Sequence, residues 1–245
     1  MNCPDSFSLQ SRWSARLQAV LEIVMVSSVV SGFLVSMVLA AVFGRSRLNM
    51  AEMNVEFFTM YQLSGAAVTF LILWILMKGR GETLAGLGMN GKQWKSNVLL
   101  GILAVPCLVV LSVWIITTFR SFLPEYALEK NPLTEMINSP KQLALFVITV
   151  IVAGGIQEEI QRAFILCRFR SHLGGAWVGL VVWSLVFGAG HYVQGAQGVL
   201  AATVLGFVFG ALYLIRGNLI LPMIAHAGYN TLTVFIYWFT IGINK

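Results

Sequence analysis

The chain has 245 residues, 58% of them hydrophobic and 11% charged, with a mean hydropathy of +0.80. A soluble globular chain carries about 25% charged residues, so too few are present to build a water-exposed surface. A disordered chain, a disulfide-stapled secreted domain and an ordinary soluble enzyme are excluded. What is left is an all-α, polytopic transmembrane helix bundle.

Taken in chain order, the charge-free runs predict the spans. Between Arg16 and Arg45 the only ionisable residue is Glu22. This apolar run exceeds the roughly 7–15 residues of a signal-peptide core, so it reads as a retained first span. Residues 57–77 and 96–119 carry no charge, and each meets the roughly 20 residues needed to cross a hydrocarbon core. Lys141 to Glu158 encloses a shorter run. The gap from Arg170 to Arg216 is long enough for two passes, divided near the polar stretch His191–Gly198, and residues 217–244 supply one more. About seven spans are expected.

With the N-terminus inside, the inner side collects Arg12, Arg16, Lys78, Arg80, Lys92, Lys95, Arg168, Arg170 and Arg216. The outer side then holds Arg45, Arg47, Arg120, Lys130, Lys141 and Lys245. This asymmetry places the N-terminus on the cytoplasmic side of the cell membrane by the positive-inside rule. The net charge of +6 is scattered among loops, unlike the basic face that a nucleic acid needs, so no nucleic-acid partner is expected. The cysteines (Cys3, Cys107, Cys167) lack metal-ligand spacing. No nucleotide, haem or flavin motif is visible.

The composition changes character after the proline-containing stretch 119–141. Residues 1–139 read as plain apolar helices with connecting loops. Residues 140–245 carry carboxylates, histidines, Asn and many glycines and read as the helical core where chemistry is concentrated. Gly175-xxx-Gly179 and Gly206-xxx-Gly210 read as close-packing devices.

Within that core the fourth apolar segment runs into Gln157-Glu158-Glu159-Ile160-Gln161-Arg162. A centrally placed charge costs about 2.5–3.5 kcal/mol even on insertion scales. On a helix, Arg162 lies four residues after Glu158 and three after Glu159, so either can reach it. One guanidinium neutralises one carboxylate and leaves the other over. The plainer alternative is that these charges end a span in the headgroup region.

His191 follows Phe187-Gly188-Ala189-Gly190, and His226 lies one helical turn before Asn230, on the same face. Each alone reads as readily as a structural hydrogen-bonding group. Together, two of three histidines fall in apolar segments of the same half as the only carboxylate pair. His172, in a basic turn, reads as a bystander.

Glu-Glu followed closely by Arg, then Phe-xxx-His, then His-xxx-Asn, on successive hydrophobic segments, resembles the CPBP family of CAAX prenyl proteases and bacteriocin-processing (Abi) proteins. The resemblance covers roughly residues 140–235. It implies a glutamate-dependent intramembrane endopeptidase that needs no metal and acts on a membrane-associated, in some cases lipidated, protein or peptide. Carried over by motif, Glu158 would activate water with help from His191, and His226 and Asn230 would stabilise the oxyanion. Glu159 and Arg162 would support the site's geometry and charge. The family pattern has three residues between the second Glu and Arg, whereas here there are two, Ile160 and Gln161. Aligning on Arg162 would pair Gln157 with Glu158; aligning on the carboxylates keeps Glu158 and Glu159 together.

Two other readings fit the same residues. A zinc-dependent peptidase would use His191, His226 and a glutamate as ligands, although no His-Glu-xx-His motif is present. A non-catalytic membrane scaffold would use the polar cluster to bind a partner helix. A transporter would need a repeat of broken segments in the two halves, which the sequence lacks.

Overall fold

The computed structural model describes residues 12–44, 48–49, 53–91 and 93–240. Arg45, Arg47, Lys92 and Lys245, counted above toward sidedness, and Cys3 lie outside the described residues. Ten α-helices follow in order: α1 (Arg12–Val26), α2 (Ser28–Phe43), α3 (Val55–Gly79), α4 (Trp94–Phe122), a single-turn α5 (Pro132–Glu135), α6 (Pro140–Thr149), α7 (Glu158–His172), α8 (Ala176–Ala189), α9 (Gly195–Arg216) and α10 (Ile220–Thr240). Among the described residues there is no strand.

Polar side chains start several of these helices. Asn54 Oδ1 accepts from the Phe57 amide at the head of α3 (2.9 Å). Ser139 Oγ accepts from the Gln142 amide of α6 (3.3 Å), with Pro140 at the first helical position, where its missing N–H is not needed. Asn218 Oδ1 accepts from the Ile220 amide at the head of α10 (2.8 Å).

Four helical stretches are long and apolar enough to cross a membrane: Val55–Gly79, Trp94–Phe122, Pro140–His172 and Tyr192–Arg216. The pair α1 and α2, bent by 44° at Ser27, makes up to five. The expected count of about seven is therefore not established, and the reason lies in length and polarity. Helix α8 has 14 residues, about 21 Å at 1.5 Å per residue, short of a hydrocarbon core of about 30 Å. Helix α10 is long enough, but His226, Tyr229, Asn230 and three threonines dilute its apolar character. The expected short span ending at Glu158 is also corrected. Helix α6 runs through a wide π-helical stretch, Val150–Gln157, into α7 as one 33-residue rod. The carboxylates thus sit inside a helix rather than at its end. Large apolar side chains on the outer faces, Val29 of α2, Val110 and Trp114 of α4 and Leu185 of α8 among them, are exposed. Together they fit a multi-pass membrane protein.

Packing crosses the division at residue 139. One apolar cluster joins Val26, Leu73, Met77 and Leu87 to Ile160, Phe164, Ile165 and Leu166 of α7 and to Leu180, Trp183 and Tyr213. Helix α4 lies along α10, and α3 lies against α6 and the π-helical stretch. The glycine pairs divide in role. An added Cβ would lie 2.8 Å from Phe187 at Gly206 and 2.4 Å from Phe169 at Gly179, close approaches of the expected kind, whereas Gly175 takes φ +108° and turns the chain into α8.

Four buried charges tie the halves together. Arg168 Nε donates to Glu22 Oε2 (2.6 Å), and its two terminal nitrogens donate to Glu82 (2.8 and 2.7 Å). Arg80 pairs with the same Glu22. Two cations balance two carboxylates, so no charge is left alone. Arg168→Leu strands Glu82 and leaves Glu22 to Arg80 alone, and removing one partner of a buried pair costs about 3–5 kcal/mol. A fall in the unfolding midpoint of the detergent-solubilised protein reads this; Lys130→Leu, at a largely exposed pair with Glu135, should leave the midpoint nearly unchanged.

Candidate active site

The π-helical stretch before Glu158 is the local feature that builds the site. Short π segments inside α-helices occur often at functional sites, and this one contains Gly154 and Gly155. An added Cβ at Gly155 would sit 2.5 Å from Ala227 Cβ, and one at Gly154 would sit 2.5 Å from Asn230 Nδ2 and 3.9 Å from His226 Nε2. The bare backbone lets α10 close onto the carboxylate helix, which brings His226 to the glutamates.

The two carboxylates then part in role. Glu159 pairs with Arg162 on its own helix and accepts from His226 Nδ1 across the interface (2.7 Å). Both members of the ion pair are 1% exposed. Glu158 is 25% exposed at its side chain, and its Oε2 lies 3.8 Å from His226 Nε2. The imidazole of His226 therefore stands between the two glutamates, one on each ring nitrogen. Because Glu159 occupies Nδ1, the proton there is fixed by a carboxylate acceptor, and Nε2 is the nitrogen turned toward Glu158.

Aromatic rings hold the cluster. Phe209 stacks on His226 (centroids 4.3 Å, 17° between planes), and Phe187 meets it edge-on (6.2 Å, 76°). The Arg162 guanidinium lies over Phe187 at 4.9 Å, a favourable placement for a buried cation. Phe187 also carries His191: the rings are 4.6 Å apart, and His191 Nδ1 bonds the Phe187 carbonyl oxygen (2.9 Å). That carbonyl can only accept, so Nδ1 donates and Nε2 of His191 is left for the cavity.

A cavity of about 530 Å³ reaches the site. Glu158 and His191 line it together with Gln157, Gln161, Trp183 and Phe187. His226 and Asn230 do not, and lie behind Glu158 and Gly154. The sequence-derived set is thus brought into one neighbourhood, with two members on the cavity wall and two in the layer beneath. The expectation that either glutamate could hold Arg162 resolves to Glu159 alone. Gln157 donates to Gln161 Oε1 (2.7 Å), and Gln161 donates to the Val26 carbonyl at the break between α1 and α2 (2.7 Å). Sequence reading missed Gly154, whose signal is the Gly154-Gly155 pair shortly before the carboxylates, and Phe209, which stands in α9 without a signal of its own. Among the described residues no group of three or more His, Cys, Asp or Glu side chains is placed to hold a metal ion.

With this geometry in place, comparison with known families is informative. Residues 139–232 match the family model described as Rce1-like, type II CAAX prenyl endopeptidase. Over those residues the helical core of this chain is similar to the CAAX protease family. The match takes in the carboxylate helix, His191, His226 and Asn230, and leaves α1 to α4 outside it. No curated protein and no solved structure matches the chain.

The unequal burial of the two glutamates makes a direct prediction. Glu159→Ala strands Arg162 and His226 and costs about 3–5 kcal/mol, the usual penalty for a buried pair that loses one partner. Glu158→Ala removes no ion-paired partner of Arg162 and should cost about 1 kcal/mol or less, within the ordinary range for point substitutions. Paired unfolding curves in one detergent read the difference.

Proposed function

We propose that this protein is a glutamate-dependent intramembrane endopeptidase in which Glu158 activates the attacking water. The single observation that carries this reading is the division of labour between the two carboxylates. Glu159 is consumed by Arg162 and His226, whereas Glu158 faces a cavity with His226 Nε2 at 3.8 Å. The family match supports an endopeptidase of CAAX type acting on a membrane-associated protein.

Charge counting defines the reactive state. Glu158, Glu159 and Arg162 sum to one negative charge when all are ionised, and one further proton balances them. That proton can sit on Glu158 or on His226 Nε2. When it sits on Nε2, Glu158 is ionised and ready to accept a proton from water, and His226 presents an N–H donor. Both functions needed for amide hydrolysis, a base and an oxyanion donor, then exist at once.

Water bound between Glu158 and His191 loses its proton to Glu158 as its oxygen attacks the scissile carbonyl carbon. The carbonyl oxygen takes up negative charge and, reaching past Glu158 from the cavity wall into the layer beneath, accepts from His226 Nε2–H and the Asn230 amide. As the tetrahedral intermediate collapses, Glu158 returns the proton to the departing amine nitrogen. Glu159 and Arg162 position His226 and do not touch the substrate. This assignment keeps Glu158 and Glu159 as the paired positions of the shortened Glu-Glu-xx-Arg motif, and the Gln157–Gln161 bond supports it by giving Gln157 a structural use. No metal takes part in this scheme. We place the N-terminus on the cytoplasmic side of the cell membrane, from the distribution of Lys and Arg, and include lipidated proteins in the substrate class.

Glu158→Gln tests the reading. Loss of a positioned general base lowers the rate by about 10²–10⁴-fold, and the unfolding midpoint should stay close to that of the parent protein. Full hydrolysis by a folded Glu158→Gln protein would remove Glu158 from the mechanism; a preserved cellular phenotype without hydrolysis would mark a scaffold. Asn230→Leu should lower kcat by about 10²–10³-fold, the usual loss of one oxyanion donor, with the carbonyl-binding step read by rapid-quench turnover.

A further inference from the structure

We propose that α3 is the substrate-binding wall of this site, with the Gln62 carboxamide pairing with a backbone peptide group of the substrate beside the scissile bond. The proposal rests on the peptidase reading above and names residues outside the family-matched segment.

The cavity that holds Glu158 and His191 is closed on its other side by Ser31 and Gly32 of α2 and by Tyr61, Gln62 and Gly65 of α3. The polar groups on that wall differ in one respect. Ser31 Oγ accepts from Thr69 Oγ1 (2.9 Å) and Tyr61 reaches the Gly32 carbonyl (3.4 Å). Gln157 and Gln161, on the catalytic side, are bonded to each other and onward to Val26. Gln62 makes no hydrogen bond to any described residue. It lies in the long apolar helix Val55–Gly79, half-buried, where a polar side chain without a partner is costly.

A carboxamide carries both a donor and an acceptor, so Gln62 can give Nε2–H to a substrate carbonyl and accept a substrate N–H at Oε1. A peptide bond about to be cut has that need. In a helix both backbone groups are already bonded, and attack on the carbonyl requires an unwound segment whose freed groups must be satisfied inside the cavity. The chemical class recognised is therefore an extended peptide backbone.

Gly65 supports the same placement independently. It stands three residues after Gln62, on the same face, and an added Cβ there would meet nothing within 4 Å. Packing does not explain this glycine, unlike Gly32, whose added Cβ would lie 3.0 Å from the Tyr61 hydroxyl. A helix-interior glycine carries a conformational cost, and here the space it leaves opens onto the cavity.

The test uses the full-length protein in liposomes and a library of membrane-anchored synthetic peptides, farnesylated and unmodified. Bonds cut by the parent protein and spared by Glu158→Gln define the reporter peptides. In these, successive peptide links flanking the cut are replaced by esters, which removes one N–H at a time. Gln62→Leu should raise KM about tenfold with kcat nearly unchanged, the size of one lost hydrogen bond. One ester position should cost the parent protein a comparable factor and cost Gln62→Leu nothing. Gly65→Leu should lower kcat/KM by filling the open space, with Gly65→Ala close to the parent. Equal ester sensitivity of both proteins at every position, or full activity of Gly65→Leu, overturns the proposal. Absence of any bond cut by the parent and spared by Glu158→Gln overturns the peptidase reading instead, and this proposal with it.

Discussion

Two adjacent carboxylates share one guanidinium in a place where water is scarce, and the rest of the site follows from how that imbalance is settled. Arg162 cannot serve both glutamates fully. It pairs with Glu159, three residues back on the same helix, and the pair is sealed from solvent. In a low-dielectric setting a buried ion pair is retained only when its remaining hydrogen-bonding capacity is met. His226 supplies part of it by donating Nδ1–H to Glu159 from α10, while the second terminal nitrogen of Arg162 has no hydrogen-bond partner among the described residues. Glu158 is left with the other face of the same imidazole and with the cavity. A sealed ion pair and a cavity-facing carboxylate thus arise from neighbouring residues of one type.

This arrangement needs α10 to approach the carboxylate helix closely, and the chain provides for it before the first glutamate. The π-helical stretch Val150–Gln157 widens the helix, and Gly154 and Gly155 remove the side chains that would meet Asn230 and Ala227. Phe187 and Phe209 then enclose the imidazole and the guanidinium. The outer ion-pair set of Glu22, Arg80, Glu82 and Arg168 fastens the same helix at its far end to α1 and to the turn after α3. Helix α7 is therefore held by charge at both ends, with its carboxylate end on α10 and its other end on the N-terminal helices.

Much of this was legible in sequence. The scarcity of charge gave the helical membrane architecture, and the spacing of Glu159 and Arg162, or of His226 and Asn230, follows from one helical turn. Other features depend on contacts between distant segments. Spacing alone allows Arg162 to reach either glutamate; His226, 67 residues on from Glu159, makes the choice. Charge-free runs set upper limits on spans but cannot reveal the bend at Ser27, the shortness of α8, or the continuity of α6 with α7 through the carboxylates. Gln62 was invisible for a similar reason. One amide in an apolar run has no pattern of its own until the cavity places it opposite Glu158.

The latch between Glu159 and His226 is the contact on which these roles turn, and its proton is directly observable. Nitrogen-15 NMR of the histidine-labelled protein in lipid bilayers, with His226 assigned by substitution, reports which ring nitrogen is protonated. The account predicts that Nδ1 of His226 carries a proton in a strong hydrogen bond, whatever the state of Nε2. A bare Nδ1 with the proton on Nε2 alone would release Glu159 from the imidazole and contradict the division between the two carboxylates.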